Sequence, residues 1–438
     1  MTPPPRRLGV GGALIILVWL AAFAALLART VPVSGDGIYY FVQLESLVQD
    51  HDVDYANNLE AFRANPHVAR QLDSGVVTAT GRTPNLFSVG PALVWAPLYA
   101  LSLRLPGIAD VTLRGVPLAL AVPSITTALV VLVGLLSMYG VGRRLGLGSR
   151  ASTLGVVVGF LGTNLLYYST FEASMAHGLG FGLVSLLLYA VVRRHTSPKP
   201  DRPGLPVWLG LGFLAGLIGL IRWQLLLVSL PLILFALWSE RKRAPSSSAL
   251  TALFVSLTLG LVIGIAPQLL IWQALYGEWL LVPQGAGFIV PTSPHFGEVL
   301  VSARHGWLTW TPLVLIGLAG LVVAARSTLA KPIRTLAPLL TAIVFVQIYV
   351  NGSLIEWWGG DAFGARRFAD ITGIVMLGLM VMFSLKKPRL RGVLILVASL
   401  AILANLALMQ FYRHGHISRN QPVPLSIPLE RVVDTLRE

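Results

Sequence analysis

The sequence predicts an all-α protein that crosses a membrane many times. Of its 438 residues, 55% are hydrophobic and 12% are charged, whereas a soluble globular protein carries about 25% charged residues. The mean hydropathy is +0.73, and the apolar residues come in runs of roughly 20, the length that a helix needs to cross the hydrocarbon of a bilayer. The chain has no cysteine. These observations exclude a soluble enzyme, a disulfide scaffold, thiol catalysis and thiolate metal sites.

Eleven apolar segments are predicted to be transmembrane helices of one domain over residues 1–411, because each is long enough and nearly free of charge. They are 9–28, 115–139, 151–168, 174–192, 205–220, 223–238, 250–275, 306–325, 335–351, 370–385 and 393–411. Residues 412–438 form a short tail.

A further apolar stretch at 86–105 is predicted to lie at the membrane interface rather than to span it. It contains two prolines and ends in Arg104. Counting it as a span would put the basic loops 140–150 and 193–204 on the opposite side from Arg6 and Arg7. The rule that positive loops stay on the inner side therefore favours an interfacial helix within a long first outer loop, 29–114.

This arrangement explains the net charge of +14. The N-terminus and the short inner loops hold 19 basic residues, all five lysines among them, and the outer side is nearly neutral. The excess charge thus indicates orientation in the membrane and not a nucleic-acid partner. We expect an integral plasma-membrane protein with a cytoplasmic N-terminus.

The predicted outer segments have the composition of a functional site, because they mix acids, His, Arg, Trp, Gly and Pro. They are 29–114, 169–174, 276–305, 352–369 and 412–438. The inner loops contain no glycine-rich phosphate loop before a helix, so an ATP-driven machine is disfavoured.

The first outer segment carries two sets of acids. Asp36 stands between Gly35 and Gly37 directly after the first predicted helix, which suits a general base or a metal ligand. It would serve equally well as the N-cap of a helix over 38–49. Farther on, Asp52 and Asp54 belong to an acidic cluster that alone predicts a solvated turn.

Three ionisable residues lie at predicted helix mouths, where a charge usually faces a cavity or a partner. Glu172 and His177 flank the start of one helix; they are interpreted as site residues or as a mutual hydrogen bond. Arg222 lies at the turn between two short helices and would either pair with an acid or bind an anion.

Two constellations later in the chain combine arginine with aromatic residues. Arg304 and His305 precede one predicted helix, and the segment 356–368 (EWWGGDAFGARRF) precedes another. Paired arginines on an outer face oppose the charge rule, and Arg binds phosphate well through forked hydrogen bonds. Adjacent Trp rings can pack against a sugar or form an interfacial belt.

The order of these segments resembles the membrane glycosyltransferases of the C type (GT-C), which include protein O-mannosyltransferases and lipid A aminoarabinose transferases. The resemblance is carried by an acid after the first span, a long outer first loop and outer arginines. It covers residues 9–411 through the segments 35–40, 50–54, 171–177 and 357–368, which are most similar to a bacterial branch of this group.

The resemblance implies a polyprenyl-phosphate-linked sugar donor in the membrane and transfer on the outer face to a glycan, lipid or protein. It implies that Asp36 is the catalytic base and that Glu172 assists it or binds metal. The residues themselves suggest Arg222, Arg304, Arg366 and Arg367 for the donor phosphate. Those expected at the sugar or the acceptor are Tyr39, Tyr40, Asp52, Asp54, His177, His305, Trp357, Trp358 and Asp361.

Two questions stay open at this stage. A divalent cation would bind Asp36, Glu172 and His177 if the three converge; no other cofactor is expected. The alternatives to a transferase are a transporter or flippase for lipid-linked sugars, or a polymerase or ligase of another membrane fold. Because the ionisable residues crowd one side rather than mid-membrane, a transferase is favoured.

Overall fold

The computed structural model describes residues 9–28, 33–105, 107, 111–197, 204–241, 246–326 and 331–423. In the first third the elements are α1 (Gly9–Leu27), α2 (Asp36–Glu45), a π-helical turn (Ser46–Asp50), α3 (Ala56–Glu60), α4 (Pro66–Asp73), α5 (Gly90–Arg104), the antiparallel strands β1 (Thr112–Leu113) and β2 (Val116–Pro117), and α6 (Leu118–Arg144). The middle third contains α7 (Ser149–Leu161), α8 (Leu165–Thr170), α9 (Ala176–Thr196), α10 (Leu205–Ile221), a 3₁₀ turn (Trp223–Leu225), α11 (Leu226–Glu240) and α12 (Ser247–Tyr276). The last third contains α13 (Phe296–Val301), α14 (Trp307–Trp310), α15 (Leu313–Arg326), α16 (Lys331–Gly352), a 3₁₀ helix (Arg366–Ile371), α17 (Thr372–Ser384) and α18 (Pro388–Arg413).

The predicted class, an all-α polytopic membrane protein, is confirmed. Eight helical segments of the described residues are long and apolar enough to cross a membrane: Gly9–Leu27, Leu118–Arg144, Ala176–Thr196, Trp223–Glu240, Ser247–Tyr276, Lys331–Gly352, Arg366–Ser384 and Pro388–Arg413. The helices α7, α10 and α15 are shorter but also apolar. Each of the eleven predicted segments overlaps one of these helices.

Two predicted helices are broken where the sequence suggested continuity. In the segment 151–168, α7 ends at Leu161 and a second helix, α8, begins at Leu165. The amide of Asn405, on α18, donates to the carbonyls of Leu161 (2.8 Å) and Thr163 (3.0 Å), so a distant side chain satisfies acceptors that the break exposes. The segment 306–325 is divided in the same way, into α14 and α15.

The first predicted outer loop is largely helical, with α2 to α5 inside it. Helix α5 falls within the stretch 86–105 and packs against the bundle. Its Trp95 is fully buried and donates to the Thr127 hydroxyl on α6 at 3.1 Å, and a side chain at Gly90 would collide with the Leu220 carbonyl of α10. The placement of α5 at a membrane interface stays a prediction.

Close packing within the bundle depends on glycine pairs. Gly212 and Gly216 of α10 face Gly260 and Gly264 of α12, and a Cβ added at Gly216 would lie 2.9 Å from the Gly264 Cα. Two facing Gly-x-x-x-Gly motifs let the helix backbones touch, which is a common way to join helices in membranes.

The fold gathers the ends of several helices at one end of the bundle. Arg222, at the end of α10, contacts Asp370, which precedes α17, and His177, in the first turn of α9. At the opposite end Arg194 pairs with Glu240 at 2.5 Å. The predicted inner basic residues at 6–7, 199–202 and 242–243 lie outside the described residues.

The C-terminal tail begins close to the predicted boundary, since α18 ends at Arg413. Its first residues fold back on the end of the bundle that carries Arg222. The Val423 amide donates to the Ala303 carbonyl, and the Ala362 amide to the Arg419 carbonyl, each at 3.3 Å. Residues 424–438 lie outside the described part.

Candidate active site

Asp36 begins α2 at the exit of the first helix. Gly35 before it adopts a positive φ of 56° and serves as the N-cap residue, and no side chain caps this helix. The interpretation of Asp36 as an N-cap is therefore wrong. Its carboxylate Oδ2 instead accepts a hydrogen bond from Arg366 Nη1 at 2.8 Å, and 27% of its side chain is exposed.

Arg366 joins the first loop to the 3₁₀ helix before α17, 330 residues away in sequence. Its side chain is 13% exposed, and its Nη1 also lies 3.5 Å from the Met175 sulfur. Gly359 and Gly360 pass over it with φ of 80° and 69°. A Cβ at Gly359 would lie 3.4 Å from the Arg366 Nε, so a glycine here lets the backbone lie against the guanidinium.

Glu172 lies between α8 and α9 near this pair. Its Oε1 accepts a hydrogen bond from the Tyr167 hydroxyl at 3.1 Å. Its Oε2 is buried and has no hydrogen-bond partner in the described part of the chain. Burial raises the pKa of Glu172, and the nearby positive charge of Arg366 opposes that shift. The alternative in which Glu172 and His177 form a mutual hydrogen bond is not realised.

His177 belongs to a second, deeper cluster with Arg222 and Asp370. Arg222 Nη1 donates to Asp370 Oδ2 at 2.6 Å and to His177 Nδ1 at 3.1 Å. Asp370 is fully buried, and its Oδ1 has no partner among the described residues. The alternative in which Arg222 pairs with an acid is thus realised. Because a guanidinium only donates, His177 Nδ1 must be the unprotonated nitrogen.

Arg304, His305 and Trp358 form a third group. The Arg304 guanidinium lies 3.8 Å from the centre of the Trp358 ring and donates to the Asn420 side chain of the tail. His305 Nδ1 lies 2.8 Å from the Trp358 carbonyl oxygen. The fold therefore brings the segments around 304 and 358 into contact.

A small, shallow cleft lies beside Arg366 and next to His305 and Trp358. Its lining residues are Val299, His305, Trp357, Trp358, Gly359, Ala365, Arg366, Arg367 and Phe368. Arg367 donates to the Glu356 backbone carbonyl at 2.6 Å and makes no ion pair with a carboxylate of the described residues. The cleft therefore combines aromatic rings with an arginine that makes no direct ion pair within the described part of the chain.

The remaining residues predicted at the sugar or the acceptor do not line the cleft. Tyr39 stacks on Phe87 at 4.9 Å, and Tyr40 is buried edge-on against the same ring. Asp361 is exposed in the loop before Arg366.

Asp52 and Asp54 form local turn contacts. The Asp52 carboxylate accepts from the Ser46 hydroxyl at 2.7 Å and from the Asp54 amide at 3.1 Å, and the Asp54 carboxylate accepts from the Ala56 amide at 3.3 Å. This geometry is that of the turn which the acidic cluster alone predicted.

The proposed metal ligands do not form one ligand set. Among the described residues there is no group of three or more His, Cys, Asp or Glu side chains that could hold a metal ion. Asp36 is paired with Arg366, and His177 Nδ1 faces the guanidinium of Arg222. These cationic neighbours fit a bound cation poorly.

Sequence reasoning missed Asp370 and Asn420. Asp370 did carry a signal, because an acid at the start of a predicted transmembrane segment usually has a partner. Asn420 carried none, since its contact depends on how the tail folds back.

Comparison with known proteins shows the fold. No protein-family model and no curated protein sequence matches the chain. Among solved structures it is similar to the apo oligosaccharyltransferase of Archaeoglobus fulgidus, with a TM-score of 0.53 and 14% identity over 96% of this chain and 57% of that one. The oligosaccharyltransferase AglB from the same organism, in complex with an inhibitory peptide and a dolichol-phosphate, gives a TM-score of 0.51 and 12% identity over 94% and 56%.

A third similar structure is ArnT from Cupriavidus metallidurans bound to undecaprenyl phosphate. Its TM-score is 0.50, with 14% identity over 98% of this chain and 72% of that one. The chain thus spans little more than half the length of the archaeal proteins. The predicted GT-C-like fold is confirmed at the level of the fold.

Proposed function

We propose that this protein is a membrane glycosyltransferase that moves a sugar from a polyprenyl-phosphate-linked donor to an acceptor hydroxyl, with Asp36 as general base. The contact between Asp36 and Arg366, 2.8 Å apart, carries the proposal. It brings a partly exposed carboxylate and several arginines together at one end of a GT-C-like bundle. Two of the similar structures hold a polyprenyl phosphate, which supports a lipid-linked donor.

The proposed reaction is a direct displacement at the anomeric carbon. Asp36 takes the proton of the acceptor hydroxyl while that oxygen forms its bond to the carbon. The bond between the carbon and the phosphate oxygen breaks, and its electron pair leaves with the polyprenyl phosphate. Asp36 Oδ1 makes no hydrogen bond to the described residues, so it is available for this proton, while Arg366 orients the carboxylate through Oδ2.

The leaving phosphate must be stabilised by positive charge. The four predicted arginines differ in whether a carboxylate already pairs with them. Asp370 neutralises Arg222, and Asp36 neutralises Arg366. Arg367 and Arg304 make no such ion pair in the described part of the chain. Since Arg367 also lines the cleft, it is the foremost candidate to stabilise the phosphate as its charge grows.

Glu172 assists from the side of the site. Burial raises the pKa of Glu172, which favours protonation of its carboxyl relative to that of a solvent-exposed glutamate. No step is assigned to a metal, because the acids and histidine that would hold one face arginines. The proposed orientation, with this site on the outer face, rests on the basic residues of the predicted inner loops.

The test follows polyprenyl phosphate, the product of every candidate donor. Purified protein is incubated with membranes that supply the acceptor and with undecaprenyl phosphate carrying glucose, mannose, galactose or aminoarabinose. The undecaprenyl phosphate that is released is measured. Asp36→Asn is expected to reduce release by about 100-fold or more, yet to keep the thermal stabilisation by undecaprenyl phosphate. Asp54→Asn, an acid of the same loop with turn contacts only, is the matched control.

Arg367→Gln is expected to lose the stabilisation by undecaprenyl phosphate. Normal release by Asp36→Asn would refute the base assignment. A flippase would be indicated by three results together: undecaprenyl phosphate stabilises the protein, no donor yields free lipid phosphate, and lipid-linked sugar moves across the membrane of vesicles that contain the protein.

A further inference from the structure

His305 is held in an unusual conformation at the edge of the cleft. Its φ is 58°, in the left-handed region that non-glycine residues seldom adopt. Its side chain is buried, only 2% of the residue being exposed, and it meets the Trp310 ring edge-on at 5.3 Å. A strained residue at a candidate site calls for a functional explanation.

The contact with Trp358 determines which ring nitrogen carries the proton. A backbone carbonyl only accepts, so the 2.8 Å contact requires that His305 Nδ1 carry a hydrogen and donate it. Burial and the charge of Arg304 lower the pKa of His305 to about 4, although the Trp358 carbonyl opposes the shift. The ring is therefore neutral near neutral pH, and Nε2 holds a bare lone pair.

Nε2 has no partner among the described residues although it is buried. Buried polar atoms are nearly always paired, and leaving one unpaired costs about 1–3 kcal/mol. His305 lines the cleft together with Arg366, Arg367 and the two tryptophans. The arginines offer only donors, which suit phosphate oxygens, whereas Nε2 offers only an acceptor.

We propose that His305 recognises the sugar of the donor, accepting a hydrogen bond at Nε2 from one sugar hydroxyl while the phosphate binds the arginines. The inference rests on the proposed function and adds that His305 and the arginines bind different parts of the donor. A phosphate oxygen cannot satisfy the bare nitrogen, but a hydroxyl can. The rings of Trp357 and Trp358 beside it supply an apolar surface for a sugar.

The test compares two variants that separate the two ring nitrogens. In His305→Asn the amide N–H takes the position of Nδ1 and keeps the bond to Trp358, but nothing replaces Nε2. Asparagine also tolerates the left-handed conformation, so the loop should fold. His305→Gln places an amide oxygen near the position of Nε2 and loses the bond to Trp358.

The probes are undecaprenyl phosphate alone and undecaprenyl phosphate carrying glucose, mannose, galactose or aminoarabinose. The wild type is expected to bind at least one sugar-bearing lipid more tightly than the bare lipid. His305→Asn should bind the bare lipid normally and that sugar-bearing lipid about ten-fold more weakly, and His305→Gln should recover part of the loss. An unchanged preference in His305→Asn, or no preference in the wild type, would overturn the proposal.

A second readout does not depend on any ligand. Histidine labelled with a nitrogen isotope gives distinct resonances for the two neutral tautomers, and the spectrum of His305→Asn identifies the signal of His305. A neutral ring protonated on Nδ1 is expected. A ring protonated on Nε2, or one that titrates at the ordinary histidine pKa, would overturn the assignment. Absence of binding to bare undecaprenyl phosphate would refute the proposed function, and the spectrum would still decide the tautomer.

Discussion

At the scale of single residues, the pairing of charges distinguishes supporting groups from reactive ones. Asp370 is fully buried and Arg222 is 15% exposed, so their ion pair has little access to water. Asp36, in contrast, keeps 27% of its side chain exposed. Arg367 donates to a backbone carbonyl and makes no ion pair among the described residues. Since Asp370 belongs to the same short 3₁₀ helix as Arg366 and Arg367, we interpret its bond to Arg222 as an anchor for that helix.

This anchoring role makes a prediction about stability. Asp370→Asn leaves Arg222 buried without its counter-charge and is expected to destabilise the protein by about 3 kcal/mol. The double variant Asp370→Asn/Arg222→Gln removes both charges and should recover part of the loss, with a coupling of about 1–3 kcal/mol. Thermal unfolding in detergent measures all four members of the cycle. Additive effects would show that the pair is not a coupled unit.

Residue types and chain order suffice to propose several candidate site residues, but the pairing partners depend on the fold. Asp36 and Arg367 could be selected because an acid between glycines and a pair of outer arginines break local rules. The partner of Arg366 could not be chosen, since 330 residues separate it from Asp36. Asp52 and Asp54 were expected at the sugar, yet short-range bonds hold them in a turn.

At the scale of elements, the position of α2 depends on a close approach to the segment before α9. The N-terminus of α2 lies on Ser174, whose hydroxyl accepts from the Ser34 amide at 3.4 Å. A Cβ at Gly37 would lie 2.8 Å from the Ser174 Cβ and 2.9 Å from its backbone oxygen. Glycine at this position therefore lets Asp36 come within reach of Arg366.

Replacing this glycine tests the geometry of the site without changing a polar group. Gly37→Ala should push α2 away from Ser174, lengthen the contact between Asp36 and Arg366, and reduce release of polyprenyl phosphate by about ten-fold or more. Gly297→Ala is the matched control, because Gly297 is also helical and a Cβ there meets nothing within 4 Å. The control is expected to keep full activity. Equal activities of the two variants would show that the approach of α2 is not needed.

The helices themselves are predictable from hydropathy, whereas their interruptions are not. Each of the eleven apolar segments became helical because a long apolar run in a membrane satisfies its backbone groups internally. The break between α7 and α8 requires Asn405, some 240 residues later, to satisfy two carbonyls. No sequence pattern near residue 162 predicts that a side chain of α18 will donate hydrogen bonds there.

At the scale of the whole molecule, the distribution of charge predicts how the bundle sits in the membrane. The segments joined at the proposed site come from the predicted outer loops, while Arg194 and Glu240 meet at the other end. Because eight of the described helical segments are long enough to cross the bilayer, we expect the two ends to lie near opposite surfaces. The excess of basic residues in the predicted inner loops predicts that the end with Arg194 lies at the inner surface.

The absence of cysteine makes this orientation directly testable, because a single introduced cysteine gives an unambiguous label. Ala79 in the first loop and Ser247 at the start of α12 are both exposed, and they belong to opposite ends of the predicted topology. In intact cells a membrane-impermeant maleimide should label Ala79→Cys and leave Ser247→Cys unlabelled until the membrane is opened. The reverse pattern would place the site of Asp36 and Arg366 on the cytoplasmic face, where the donor lipid would have to be used before it crosses the membrane.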